Sequence, residues 1–403
     1  MQPSASDLII RDDHLIFAGV DLAELADAHA TPFFLYSERR LRANIAELAG
    51  AFTARHPATE VFYASKACSN LWFLHVVRKA GINVEVNAGG ELEKALRVGF
   101  DPRQIVFNGV AKTHAEIERA VACGVRAFIV DSLYELERIS EVATALGRVA
   151  AVAPRIDVHV PTLTHPGLET AHGGKAGIDR DDAAAAFRRA GGGFAVPYRE
   201  ARTACASDDY FCSLLTIDDY AATICGRLRA RRPELTLFLE PGRSIATSAA
   251  VLVTRIENEK TKGRRDGEGV RLGDEHWLTV DAGFNTLLEH TNYHWYFRTL
   301  VAGRAAEPAD AEFRLAGPLC DGGDVFAGDD DRPYRRFPAA TSVGDVVVFL
   351  DAGGYTLEMM NDYNARPRAA AYAATVGGDV VAIRRRETDA DLSAFDLTPG
   401  FGA

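Results

Sequence analysis

From residue 31 onward, short apolar runs rich in β-branched and aromatic residues alternate with stretches whose apolar residues recur every three or four positions. PFFLYS (32–37) reads as a strand, and 38–54 as a helix with Leu41, Ile45 and Leu48 on one face. EVFYAS (60–65) is a strand followed by a helix through Val77, and INVEV (82–86) precedes a helix over 90–98. IVFN (105–108) precedes helix 113–123, AFIVD (127–131) precedes helix 133–146, and VAPRIDVHV (152–160) is a further strand. Repeated β-then-α units predict parallel strands joined by right-handed crossovers.

After TLFLEPGRSI (236–245) the pattern changes. VLVTRIENEK, HWLTVDAGF, EFRLAGPLC and VGDVVVFLDAGGY are separated by Gly/Asp-rich turns and carry few helical periods, which predicts an antiparallel β domain. The opening stretch DLIIRDDHLIFAG reads as two short strands that join this later sheet. The organisation is thus an α/β barrel domain over 31–245, inserted between two pieces of a β domain, 1–30 and 246–403. One stretch is short: DDAAAAFRRA (181–190) runs directly into GGGFAVPY, and 31–245 holds about six convincing barrel strands where a closed barrel has eight over ~250 residues.

Composition narrows the function classes. The 403 residues are 47% apolar and 25% charged, a globular balance. A net charge of −11 disfavours a nucleic-acid partner, because phosphates require a basic face. The cluster Lys260, Lys262, Arg264 and Arg265, beside Gly263 and Gly267, reads as a solvated hairpin tip. No apolar run approaches the ~20 residues of a membrane span, and residues 1–13 show no signal peptide. Six scattered cysteines without a spaced framework suit a reducing cytoplasm, and neither they nor the eleven histidines have metal-site spacing.

FYASKACSN (62–70) places Lys66 at the C-terminal end of an apolar strand, the end where parallel α/β folds build active sites. Partial desolvation there would favour the neutral amine that attacks an aldehyde; alone, the window equally describes a lysine snorkelling from a strand end. The run Gly191, Gly192, Gly193 lets backbone N–H groups approach a phosphate, although three glycines most often make a turn. EPGR (240–243) combines Glu240, a chain reversal at Gly242 and the cation Arg243, and a carboxylate opposite a pyridine nitrogen would keep that nitrogen protonated. GPLCDGGD (317–324) presents Cys320 and Asp321 on a loop, and DAGGYTLEMM (351–360) puts Tyr355 after two glycines. Taken singly, Cys320 reads as a small hydrophobe, Tyr355 as a packing residue, and Asp281 and Asn285 in DAGFN as turn formers.

The ordered set FYASKA, VEVNAGGEL, IVFNGVAKT, DSLYEL, GGGF, EPGRSI, DAGFN, GPLCDGGD, GGYT and YNARPR resembles the diaminopimelate and ornithine decarboxylases, fold type III of the pyridoxal-phosphate enzymes, over residues 21–381. The resemblance implies an alanine-racemase-like (β/α) barrel, shortened by about two strands, with a C-terminal antiparallel β domain. It implies pyridoxal 5′-phosphate as cofactor and decarboxylation of an amino acid as activity. It makes Lys66 the Schiff-base lysine, Glu240 the partner of the pyridinium nitrogen, and Gly192, Gly193, Gly242, Arg243 and Tyr355 the phosphate site. Glu85 takes the place of a carboxylate near the ring and Arg155 that of a barrel arginine. It also implies a homodimer with shared active sites, in which Cys320 donates a proton and Asp321 contacts substrate.

Three departures accompany it. Between Ile178 and Gly191 the family's strand ending in a His-x-His-x-Gly-Ser motif is absent, with the histidine that stacks on the ring. HGGKAGI (172–178) has Ala176 where an aromatic is usual, and TLLEHTNYHWYF (286–297) lacks the Arg-Pro pair common in diaminopimelate decarboxylases. Two rivals follow: a decarboxylase of a conjugated amino acid in specialised (siderophore or antibiotic) metabolism, and a non-catalytic homologue regulating an active paralogue. A racemase on the same barrel is disfavoured by GPLCDGGD.

Overall fold

The structure, a computed structural model, describes residues 7–157, 178–179, 215–329 and 332–397. The chain divides into two compact units, Leu41–Thr247 and the pair Met1–Arg40 with Ser248–Ala403.

In the first unit the expected β/α alternation is present. Six strands form one parallel sheet in the order Leu237–Leu239, Thr59–Ala64, Asn83–Val86, Ile105–Phe107, Ala127–Val130 and Val152–Pro154. Strands covered on both faces have no polar side, which is why VFYA, VEV and IVF are buried throughout, Glu85 included. Phe62, Val106 and Ile129 pack as one cluster with Ala153 and Phe238 against them. The helices Leu71–Lys79 and His114–Cys123 start where the sequence supplies a cap: Asn70 accepts from the Trp72 and Phe73 N–H groups, and Thr113 and Glu116 form a reciprocal capping box. Gly124, at φ +81, closes the His114–Cys123 helix in the left-handed conformation that glycine tolerates best. The stretch 152–160 is two short strands instead of one: Arg155 separates Val152–Pro154 from Ile156–Asp157, and the latter pairs in parallel with Ile178–Asp179. The short region 181–193 lies outside the described residues.

The second unit corrects two expectations. PFFLYS does not open the barrel. Phe33–Ser37 pairs antiparallel with Ala250–Arg265 and parallel with Ala370–Ala374, so its apolar residues complete the β domain and the barrel unit starts at Leu41, not at 31. The opening stretch forms its own three-stranded sheet, Leu8–Arg11, His14–Phe17 and Val20–Asp21, instead of joining the nine-stranded one. Leu15 and Phe17 reach that sheet through side chains, packing with Val251, Val253, Val346 and Val348. The large sheet is antiparallel apart from two parallel ladders, the one named above and Arg271–Val280 with Ala311–Ala316. Ala250–Arg265 and Arg271–Val280 make a long hairpin whose exposed end carries the basic cluster. There Lys260 and Lys262 lie 5.8 and 5.3 Å from the Trp277 ring. Among the described residues no helix is long and apolar enough to cross a membrane.

Candidate active site

Parallel pairing puts the carboxyl ends of neighbouring strands side by side, and there the sequence concentrates its chemistry. Thr59–Ala64 ends in a 3-10 turn, Ser65–Ala67, that carries Lys66. On one side the Leu237–Leu239 strand runs into Glu240, and the Ala64 N–H donates to Pro241 O at 2.9 Å, drawing the EPGR loop against the Lys66 turn. On the other side Glu85 pairs in register with Ala64. Lys66, Glu85 and Glu240 thus stand on three adjacent strand ends.

Glu85 is 1% exposed, and neither carboxylate oxygen has a hydrogen-bond partner. Burial raises its pKa; the Lys66 ammonium opposes the shift, the Glu91 charge adds to it, and the nearby amides of Asn108 and Asn87 favour the charged form. An unpaired buried carboxyl is costly, and it suits a site built for a polar heteroaromatic ring. Arg243 is buried and opens the short helix Arg243–Ala246, whose Ile245 and Ala246 N–H groups turn back to Gly242 O. The Ser244 hydroxyl beside it is buried without a partner. An amine able to condense with an aldehyde, carboxyls for a ring and an arginine next to an orphan hydroxyl fit pyridoxal 5′-phosphate.

The structure departs from expectation at Lys66 itself, whose side chain is exposed and not partly desolvated, because its turn projects beyond the strand end while Ser65 and Ala67 stay buried. Arg155 is half-buried, its N–H donating to Val130 O at 2.8 Å, on the strand end at the opposite edge of the sheet from Glu240. Gly191, Gly192 and Gly193 lie outside the described residues.

Cys320, Asp321 and Tyr355 belong to the other unit. Cys320 is an exposed thiol whose N–H donates to Asn364 Oδ1 at 2.8 Å. Asp321 accepts from the Gly323 N–H at 2.8 Å and from the Tyr363 hydroxyl at 3.5 Å. The loop is pinned by Asp324, 2% exposed, which accepts the Phe284 and Leu319 N–H groups at 2.9 Å each. A Cβ at Gly283 or Gly317 would lie 2.3 or 2.2 Å from that carboxylate, so DAGFN and GPLCDGGD approach one another only as glycines. Tyr355 takes a left-handed φ of +59. Asn285 makes a turn, as its type predicts, accepting from the Gly283 N–H at 3.2 Å, whereas Asp281 stands at a bend and accepts from the remote Arg255 N–H at 3.1 Å.

Sequence reasoning missed Asn87, Asn108, Glu91, Ser244, Asp324 and Asn364. All lie inside the quoted motifs, but the contacts that give Glu91, Asp324 and Asn364 their roles reach 26, 40 and 44 residues along the chain, to Ser65, Phe284 and Cys320, so nothing local marked them.

Known proteins bear on this arrangement. The family description "Pyridoxal-dependent decarboxylase, pyridoxal binding domain" matches residues 42–190. The chain is 32% identical to diaminopimelate decarboxylase of Pseudomonas aeruginosa over 95% of this chain and 97% of that one. It is 30% identical to the enzyme of that name from Methanothermobacter thermautotrophicus, over 96% of each. The Pseudomonas match runs over 436 positions against the 403 residues here, so that enzyme carries stretches with no counterpart in this chain. Among solved structures, diaminopimelate decarboxylase of Methanocaldococcus jannaschii in complex with L-lysine superposes with a TM-score of 0.84 at 28% identity, covering 99% of both chains. That of Helicobacter pylori, also with L-lysine, gives 0.76 at 26% identity over 92% of this chain and 98% of that one.

Proposed function

We propose, for a chain that belongs to the fold type III pyridoxal-phosphate-dependent decarboxylases, that Lys66 is the residue joined to the cofactor and that Glu240 faces its ring nitrogen. The chain is an amino-acid decarboxylase, a lyase that releases carbon dioxide and an amine. Full-length similarity to named decarboxylases favours it over a non-catalytic homologue. When bound, pyridoxal 5′-phosphate supplies the electron sink that lets the carboxylate leave.

The chain's own groups do the rest. Lys66 would hold the cofactor through its aldehyde, and its amine would also be placed to move a proton. Glu240 would keep a proton on the ring nitrogen, Glu85 stands near the ring, Arg155 is the barrel arginine of the cofactor site, and Gly242, Arg243 and Tyr355 would hold the phosphate with Gly192 and Gly193. Ser244 adds a hydroxyl to that set. Cys320, an exposed thiol, is the proton donor and Asp321 the substrate contact, both acting on the site of a second protomer in a homodimer. The thiols of Cys68, Cys123, Cys225 and Cys320 are in no disulfide, which suits a cytoplasmic enzyme.

The observation that carries this reading is the convergence of Lys66, Glu85 and Glu240 on adjoining strand ends. Purified protein given pyridoxal 5′-phosphate should show the visible absorbance of lysine-bound cofactor and release carbon dioxide; Lys66→Ala should lose both. A wild type that never acquires the band defeats the reading. Diaminopimelate is the first substrate to test, given the names of the relatives. A basic or conjugated amino acid is favoured by one observation: the 286–297 window offers no arginine for a second carboxylate and instead buries Glu289 and His290. Carbon-dioxide release from diaminopimelate, lysine, ornithine, arginine and conjugated amino acids, compared by kcat/KM, separates the two.

A further inference from the structure

The helix Gly89–Arg97 begins at Ala88, which has no side chain able to cap it. Glu91, in its first turn, turns its carboxylate backwards: Oε2 accepts from the Asn87 N–H at 2.8 Å and the Asn87 amide at 3.3 Å. The same oxygen accepts a third hydrogen bond, from the Ser65 hydroxyl at 2.5 Å. Ser65 is wholly buried and immediately precedes Lys66 in the 3-10 turn. One helical step along, on the same face as Glu91, Lys94 Nζ donates to Ser69 Oγ at 2.5 Å. Two residues of one helix face therefore grip the chain on either side of Lys66.

We propose that Glu91 is a positioning residue for Lys66, acting through Ser65 to fix the turn from which the exposed amine meets the cofactor's aldehyde, with Lys94 and Ser69 as the second tether. The inference rests on the reading of Lys66 given above. An exposed lysine has four rotatable bonds and no packing to aim it, so its direction of attack depends on how firmly its backbone is held. Glu91 also stands close enough to push the buried Glu85 further towards its neutral form.

Helix capping alone would explain the contacts to Asn87 but not the one to Ser65, and that difference supplies the test. Apoprotein is mixed with pyridoxal 5′-phosphate in a stopped-flow instrument, and growth of the lysine-bound band is followed at saturating cofactor. Borohydride reduction and mass spectrometry locate the attachment at Lys66. Ser65→Ala and Glu91→Ala should each slow capture about tenfold, and the double variant no further than the slower single one. Ser65→Thr, which restores a hydroxyl, should recover most of the rate. Thermal unfolding of Ser65→Ala should stay close to wild type, since the cap is intact. Capture by Ser65→Ala at the wild-type rate overturns the proposal, as does a double variant in which the two effects multiply. If Glu91→Ala does not fold, the Ser65 pair decides alone. Wild-type protein that captures cofactor at Lys66 while the variants match it defeats this inference and leaves the decarboxylase reading standing.

Discussion

Asp281 shows how burial decides the behaviour of a single residue. Its carboxyl is pushed up to about 6, chiefly by desolvation and further by the Glu257 charge. The Thr31 side chain, the Arg255 N–H and the Arg386 guanidinium oppose the shift without cancelling it. An acid whose folded pKa lies above its unfolded value, about 3.9, lends stability that is fully present below pH ~4 and lost as pH rises through about 6. Asp281→Asn keeps the carbonyl that accepts from Arg255 and cannot ionise. It should raise stability at pH 8 by on the order of 2 kcal/mol and change little at pH 4.5, read as urea midpoints at the two values. A variant equally destabilised at both would show that the carboxylate is needed ionised. The sequence marked Asp281 as a turn former, and it stands at a bend directly after the strand Arg271–Val280. Its titration was not legible, since the groups that bond it or act on it by charge come from 31, 255, 257 and 386.

Among elements, the segment after Ile105–Phe107 is the most tightly specified. Lys112 is 3% exposed, and its ammonium donates to Gly109 O, Ile129 O and Glu135 Oε1 at 2.8, 2.7 and 2.9 Å. Glu135 in turn accepts the Asp131 N–H at 2.8 Å, so one buried pair joins a loop, a strand end and a helix start. Removing either charge leaves the other stranded, and Lys112→Met should cost about 3–5 kcal/mol in urea unfolding. Gly109 sits at φ +97 with Asn87 O only 2.3 Å from where a Cβ would be. Gly109→Ala should therefore be severely destabilising, and it should disturb the Asn87 and Asn108 amides beside Glu85, weakening cofactor binding in an equilibrium titration. Periodicity placed these elements to within a residue or two, because strand and helix periods are local. It could not show that Lys112 is a keystone, because two of its three acceptors, Ile129 O and Glu135 Oε1, are brought to it by tertiary packing.

For the whole molecule, the homodimer proposal carries its own prediction. If Cys320 serves the partner's site, mixing inactive Lys66→Ala and Cys320→Ala proteins and letting subunits exchange should restore about a quarter of wild-type activity, since half the dimers then hold one intact site. No recovery, with exchange confirmed by mass spectrometry, would place both residues in the same protomer's site. The sequence by itself determined the family and the alternation of the barrel unit, and it nominated Lys66, Glu85 and Glu240 for the cofactor, because these rest on contiguous motifs and short periods. Tertiary structure alone decided that PFFLYS belongs to the β domain, since a fully apolar strand suits either a parallel or a mixed sheet and only its partners choose. It also decided that Glu85 is an unpaired buried acid, and that Glu91 and Lys94 bracket Lys66. Hydrogen bonds and desolvation depend on which distant residues arrive at a point, and a one-dimensional pattern holds no record of that.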